Sequence, residues 1–210
     1  MKSAALGFRA HSGWTALVAL CVTKGVPSVL ARDRVHLVDT FTYRFRQPYH
    51  TAERMPADEA QAFISRAETK AQRLATRAIH ELKENLLAQG YELKRCGLVL
   101  ASGRLLPALP QILASHALIH TADGELFRRA ILDASAQNGL ANKTIKEREI
   151  LSEASRVLRI KPSDITRRIA GLGKPLGPPW SQDEKLASLV AWLALASRSS
   201  ARILASKRTA

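Results

Sequence analysis

The chain of 210 residues is 46% hydrophobic and only 5% aromatic. This composition excludes an intrinsically disordered protein and suffices for one large domain or two small ones. The formal net charge of +14 favours a polyanionic partner, either nucleic acid or an anionic membrane surface, although many basic residues alternate with acids as on a solvated helix face.

Three features concern the compartment. No apolar run reaches the ~18 residues of a membrane span, and Arg9 and His11 interrupt the N-terminal apolar stretch, which argues against a secretory signal. Cys21 and Cys96 lie in apolar runs, where buried, reduced thiols are the usual state. We therefore expect a cytoplasmic protein that has no membrane partner.

Apolar runs of strand length alternate with longer helical patterns along the chain. The predicted strands are 3–9, 14–22, 28–38, 96–102 and 141–147. The predicted helices are 57–89, a stretch after Pro107 through His120, a helix that opens at Thr121 and ends at Gly139, and 148–159, 163–171 and 181–198. Residues 39–56 and 171–180 are expected to be loops, with Trp180 filling part of the core.

This order predicts one α/β domain over 1–198, with a basic tail at 199–210 whose order the sequence leaves open. The first three strands should form an antiparallel meander around the Ser12-Gly13 turn. The later strands should join it through helical crossovers, parallel to the first strand. The expected sheet is therefore five-stranded and mixed, with flanking helices in the order β-β-β-α-β-α-β-α.

That order resembles the ribonuclease-H-like superfamily, and within it the RuvC resolvases and the YqgF-like proteins. These families open with Gly-x-Asp, then a glycine-bearing turn, and they carry acidic residues at the start of the last helix. Gly7-Phe8-Arg9 and Gly13-Trp14 occupy the first two places here, and Asp183 with Glu184 matches the third. The stretches HSGW, QPYH, SGR and ASHALIHTADGE also resemble a group of uncharacterised bacterial proteins, which supplies no activity to transfer.

The resemblance implies two divalent metals held by carboxylates on the first strand, at the fourth strand and on the last helix. Arg9 stands where the first carboxylate is expected, and the fourth strand ends in Ser102-Gly103-Arg104 without an acid. Asp183 and Glu184 remain opposite two guanidinium groups that would repel a cation. We therefore do not expect conventional two-metal cleavage, and we predict no cofactor and no metal ligand, with a divalent metal as the disfavoured alternative.

In this topology the ends of strands one and four and the start of the last helix meet at one edge of the sheet. The pattern there favours an anion-binding pocket, because arginine donates two parallel hydrogen bonds to phosphate. The candidate ligand-binding residues are Arg9, His11, Ser12, Trp14, His50, Ser102, Gly103, Arg104, His116 and His120. In the alternative interpretation, the polar side chains of the turn cap their own backbone and Arg9 is exposed.

Two further motifs have competing interpretations. His116 and His120 share one helical face, as in zinc proteases, but Ala117 stands where those enzymes have glutamate; one buried and one helix-terminal histidine is the alternative. Ser102 with a histidine and Asp183 could form a hydrolytic triad, although the exposed Gly-x-Ser-x-Gly turn is lacking.

The sequence therefore predicts a domain that binds a phosphate-bearing ligand, with nucleic acid as the leading class and DNA or RNA left open. One alternative is a hydrolase, either a degenerate nuclease that uses Asp183 and Glu184 or an enzyme that uses Ser102 with a histidine such as His11. The other is a non-catalytic scaffold whose basic tail contacts a partner. Whether the protein is an enzyme, and its oligomeric state, remain open at this stage.

Overall fold

A computed structural model describes residues 1–101 and 105–197. Its sheet contains five strands in the spatial order β3-β2-β1-β4-β5. The strands are β1 (Lys2–His11), β2 (Trp14–Thr23), β3 (Val26–His36), β4 (Tyr91–Leu100) and β5 (Ala141–Lys146). β1, β2 and β3 are antiparallel neighbours, whereas β4 is parallel to β1 and β5 is parallel to β4. The predicted five-stranded mixed sheet is confirmed.

The helices of the described residues are α1 (Tyr43–Arg46), α2 (Pro48–Ala52), α3 (Ala57–Ala88), α4 (Leu109–Leu113), α5 (His116–Gln137), α6 (Ile150–Leu158), α7 (Pro162–Leu172) and α8 (Gln182–Ala196). Short 3-10 turns occupy 147–149 and 174–176. Among these residues no helix has the length and apolarity to cross a bilayer.

Two of the segments that differ from the prediction hold candidate histidines. The expected loop at 39–56 contains α1 and α2, and α2 begins at Pro48, where a missing N–H removes no helical hydrogen bond. Thr121 does not open a helix: α5 already begins at His116, and the Thr121 hydroxyl donates to the Ala117 carbonyl at 2.9 Å. His116 and His120 therefore lie on the first two turns of one long helix.

The core has one layer on each side of the sheet. Ala4, Leu6, Phe8 and Ala10 of β1 belong to the cluster that contains buried residues of α3 and α5. The alternate residues of β1 face α8, since successive side chains of a strand point to opposite sides. Arg9 and His11 therefore lie on the α8 side of the sheet.

Helix α8 is buried along most of its length, and every residue from 186 to 194 is buried. It lies close to the sheet because β1 and β4 present glycines to it. A Cβ at Gly7 would be 1.9 Å from the Ala187 carbonyl oxygen, and one at Gly97 would be 2.5 Å from that of Val190. This close approach brings the start of α8 to the end of β1.

Trp180 was predicted to fill part of the core, and this prediction is wrong. It is half-buried, its ring lies against Gly173, and its indole N–H donates to the Ile169 carbonyl at 3.0 Å. It therefore covers the end of α7 instead of filling the space beneath the sheet.

Candidate functional site

Several charged and aromatic side chains meet where β1 ends and α8 begins. This "edge site" consists of Arg9, His11, Trp14, Arg34, Glu147 and Asp183. Arg9 and His11 come from β1, Trp14 opens β2 across a two-residue turn, and Arg34 comes from β3. Glu147 directly follows β5, and Asp183 lies in the first turn of α8. The predicted meeting of the β1 end with the start of α8 is confirmed.

Arg9 is largely buried, with 19% of its side chain exposed, and its Nη2 lies 2.8 Å from Oε2 of Glu147. Its Nη1 donates to the Ala10 carbonyl at 3.1 Å. Its Nε is buried and has no hydrogen-bond partner in the described part of the chain. Arg9 is thus neither an exposed turn residue nor fully satisfied by its protein contacts.

His11 and Asp183 form a second contact between a basic side chain and a carboxylate. Nε2 of His11 lies 2.9 Å from Oδ1 of Asp183, yet this nitrogen has no partner in hydrogen-bonding geometry. The two side chains therefore touch without a directed hydrogen bond.

Glu184, the other acidic candidate, caps α8. Its carboxylate accepts from the Ser181 N–H at 2.7 Å and from the Ser181 hydroxyl at 2.5 Å. The Ser181 hydroxyl in turn accepts from the Asp183 N–H, which completes a capping box. The Glu184 carboxylate thus has a structural role, and Asp183 is the acid directed to the end of β1.

Trp14 lies between strands that carry cations. The His11 ring stacks on the indole with centroids 4.3 Å apart and an interplanar angle of 9°. The guanidinium carbon of Arg34 lies 3.7 Å from the indole centroid. Arg34 itself is exposed, so this stack places an accessible positive charge beside the site.

A second group, the "histidine cluster" of His50, His116 and His120, lies on α2 and α5. One ring nitrogen from each residue lies within 4.8 Å of the others. The Nε2 atoms of His116 and His120 are 3.0 Å apart. The ring centroid of His50 lies 5.3 Å from the ring centroid of His116 and 4.4 Å from that of His120. Because α5 packs on the α3 side of the sheet, this cluster and the edge site are on opposite faces.

Asp123 lies behind the histidine cluster and is 3% exposed. Its Oδ2 is 2.5 Å from Nδ1 of His50, and its Oδ1 accepts from the Tyr49 N–H at 2.8 Å. Burial raises the pKa of the Asp123 carboxyl, and the hydrogen bonds from His50 and Tyr49 partly oppose that rise. Burial also raises the pKa of the Tyr49 hydroxyl to about 12.

The structure corrects three expectations about the candidate residues. His116 and His120 are both exposed, so neither is the buried histidine of the alternative interpretation, although His116 is the first residue of α5. They also do not join the edge site. His50 does not join the edge site either, since Asp123 holds it against α5.

The other candidates have simpler placements. Ser12 lies in the turn between β1 and β2, next to the edge site. Ser102, Gly103 and Arg104 lie outside the described residues. Sequence reasoning missed Arg34, Glu147 and Asp123 as site residues. A signal existed only for Glu147, which directly follows a parallel strand.

No family model matches the chain, and no curated protein matches it either. Among solved structures it is similar to Thermus thermophilus RuvC in complex with Holliday junction substrate, with a TM-score of 0.50, 10% identity and 90% of each chain covered. A second structure of RuvC from Thermus thermophilus gives a TM-score of 0.47, 12% identity and 90% coverage of each chain. The protein has a ribonuclease-H-like fold. At 10% identity the similarity supports the fold alone. The Holliday junction substrate is a ligand of that RuvC structure and says nothing about the ligand of this chain.

Within this ribonuclease-H-like fold, Arg9 occupies the β1 position where the resemblance places the first metal-binding carboxylate. Glu147 and Asp183 are acids at the same edge, but each already contacts a cationic or potentially cationic side chain. This pairing weakens the attraction of both carboxylates for a divalent cation. The buried Nε of Arg9 remains in the site without a partner in the described residues.

Proposed function

We propose that the edge site binds a phosphate-bearing ligand and that the ligand class is nucleic acid. The observation that carries the proposal is the buried Nε of Arg9, which has no hydrogen-bond partner in the described residues. Beside it, Nε2 of His11 lies 2.9 Å from Oδ1 of Asp183 but outside hydrogen-bonding geometry. A buried donor without an acceptor destabilises a fold by about 1–3 kcal/mol and calls for an explanation. A phosphate oxygen would supply the acceptor.

The guanidinium of Arg9 suits this ligand because its planar fork can give two parallel hydrogen bonds to one phosphate. Glu147 now contacts Nη2 only, and it is 43% exposed. A phosphate approaching from solvent can therefore share or replace the Glu147 contact.

Trp14 and Arg34 enlarge the surface of the site that a strand of nucleic acid could contact. The Trp14 ring already stacks with His11 and Arg34, so it holds the Arg34 guanidinium in place, and this exposed cation is the group available to a phosphate backbone. The excess of positive charge over the whole chain, +14, favours the same class of ligand.

The proposal is one of binding, not of cleavage. The carboxylates at this edge contact Arg9 and His11, and an acid that already neutralises a cation is a poor ligand for Mg²⁺. Turnover by Asp183, or by Ser102 with a histidine, is the hydrolase alternative that the same experiment would reveal.

The test is a fluorescence anisotropy titration of the full chain with labelled single-stranded and duplex DNA and RNA. Salt is varied between about 50 mM and about 200 mM, because released counterions make phosphate binding salt-sensitive. Arg9→Ala should weaken binding about tenfold, since a charge-assisted hydrogen bond is worth about 1.5–3 kcal/mol. It should also lower the salt slope by about 1.

Glu147→Gln gives a sharper test because its expected effect has the opposite sign. Removing the competing carboxylate should strengthen binding about two- to fivefold, as partly exposed ion pairs are worth about 0.5–1 kcal/mol. The matched controls are Arg77→Ala and Glu81→Gln, which change the same charges in an exposed pair on α3.

Three outcomes would contradict the proposal. Absence of salt-sensitive binding removes nucleic acid as the ligand. Binding that Arg9→Ala and Arg77→Ala weaken equally moves the contact away from the edge site. Cleavage of the labelled strand, abolished by Asp183→Asn, makes the protein a hydrolase.

A further inference from the structure

The histidine cluster is independent of the edge site and lies on the other face of the sheet. Its three imidazoles come from α2 and from two consecutive turns of α5. The rings are steeply inclined to one another, at 66° to 90°. Convergence of three ring nitrogens on one point is the arrangement that a late first-row metal ion requires.

We propose that the histidine cluster is a zinc(II) site, with His50, His116 and His120 as ligands and Asp123 as the residue that positions His50. Tetrahedral zinc bound at about 2.0–2.1 Å separates its ligand nitrogens by about 3.4 Å. The Nε2 atoms of His116 and His120 are 3.0 Å apart, and all three nitrogens lie within 4.8 Å. Small side-chain rotations therefore bring the three nitrogens into the zinc geometry.

Asp123 supplies the second, independent observation. A buried carboxylate that accepts from the remote nitrogen of a ligating histidine fixes its tautomer and raises its basicity. Asp123 engages Nδ1 of His50, so Nε2 is the nitrogen left for the metal. The Tyr49 N–H holds the other carboxylate oxygen, and the orientation of His50 is thus fixed by the backbone of α2.

This anchoring distinguishes the cluster from histidines that meet by chance on a surface. The His50 side chain is 7% exposed and that of Asp123 is 4% exposed, whereas His116 and His120 face solvent. One ligand is thus rigid and two are open to an arriving ion. The group contains three residues over 1–101 and 105–197, which leaves a fourth corner for water or another ligand, as in catalytic zinc sites.

The experiment uses the full chain, stripped with a chelator, and measures binding of Zn²⁺ by titration against a competing indicator. We expect one equivalent of zinc per chain and a higher melting temperature in its presence. Cobalt(II) substitution should give the intense visible absorption of a four-coordinate ion, which reports the geometry directly. A stoichiometry of zero, or cobalt spectra of the hexa-aqua ion, would overturn the proposal.

The variants separate ligands from positioning residues. His116→Ala and His120→Ala remove exposed side chains and should leave the apo melting temperature unchanged while abolishing tight binding. Asp123→Asn should weaken zinc binding about 10–100-fold while the cobalt spectrum stays four-coordinate. The matched control is His80→Ala, an exposed histidine on α3, which should bind zinc like the wild type.

Equal zinc affinity in His116→Ala, His80→Ala and the wild type would place the metal elsewhere and overturn the proposal. Arg9→Ala should leave zinc affinity unchanged, because Arg9 is on the α8 side of the sheet. Failure of nucleic-acid binding and failure of zinc binding are therefore separate results.

Discussion

The two faces of the sheet carry the same kinds of side chain in different combinations. On the α8 face, Arg9 lies against Glu147 and His11 lies against Asp183, one acid for each base. On the α5 face, three imidazoles converge and a single carboxylate, Asp123, contacts one of them, His50. The first arrangement leaves buried donors without acceptors, and the second leaves imidazole nitrogens that can accept.

This difference decides whether each face can bind a negatively or a positively charged ligand. Donors without acceptors favour an anion, whereas converging imidazole nitrogens favour a metal cation. The resemblance seen in the sequence implied metal cations at this edge, on the α8 face. The residues instead favour an anion there.

Among the substitutions that test this difference between the two faces, Gly7→Ala should have the largest effect on stability, and it acts on the α8 face only. Its Cβ would meet the Ala187 carbonyl oxygen at 1.9 Å and the Ala191 Cβ at 2.9 Å, so α8 must move away from β1. Overpacking of this kind destabilises by about 3 kcal/mol or more when backbone must shift. Urea unfolding measures the loss, and nucleic-acid binding at the edge site should fall with it.

The control for this prediction is Gly171→Ala in α7, where an added Cβ meets nothing within 4 Å. It should be neutral or stabilise by up to about 1 kcal/mol, as expected for glycine to alanine in a helix. Equal stability of the Gly7 and Gly171 variants would show that α8 is not held against the sheet as described.

The next effect should come from Asp123→Ala on the α5 face. It leaves the buried Tyr49 N–H and His50 without their acceptor, and a loss of about 2–3 kcal/mol in the free energy of unfolding is expected. Asp133→Ala is the control, an exposed acid on the same helix, which should change stability by less than about 0.5 kcal/mol. Similar losses in both variants would remove the anchoring role of Asp123.

The fold was predictable because most strands are apolar runs with turn residues between them. The first half of β4 was missed because Glu92 and Lys94 interrupt its apolar pattern, although pairing with β1 begins at Tyr91. The short helices α1 and α2 were missed because so few residues give no periodic signal. α2 is stabilised instead by tertiary contacts, since Tyr49 and Ala52 are buried.

The sites were less predictable than the fold because their contacts join distant parts of the chain. The start of α5 was misplaced at Thr121 because threonine is a favoured N-cap residue and Asp123 and Glu125 would complement the dipole of a helix that begins there. Asp123 is in fact buried and bonded to a residue 73 positions away. Glu147 was treated as one of many surface charges, and only the parallel register of β4 and β5 brings it to Arg9.

The smallest predicted effect is the pH dependence of stability that comes from Cys96. It tests how completely the α5 face is closed to solvent. Cys96 and Gly97 are neighbours on β4: Gly97 faces α8, and Cys96 is fully buried on the side of α3 and α5. Burial raises the pKa of the Cys96 thiol from 9.0 to about 12, a rise that contact with Ser135 partly opposes. Between these values the unfolded chain loses this proton while the folded protein keeps it.

The free energy of unfolding should therefore fall as pH rises above 9.0, by at most about 1.4 kcal/mol for each pH unit. Urea unfolding at several alkaline pH values measures this slope, and Cys96→Ala should reduce it by that amount, whatever the variant does to stability at neutral pH. A variant with an unchanged slope would mean that the Cys96 thiol ionises in the folded protein. The α5 face would then admit solvent to the centre of the sheet, and Cys96 would not be sealed behind α3 and α5.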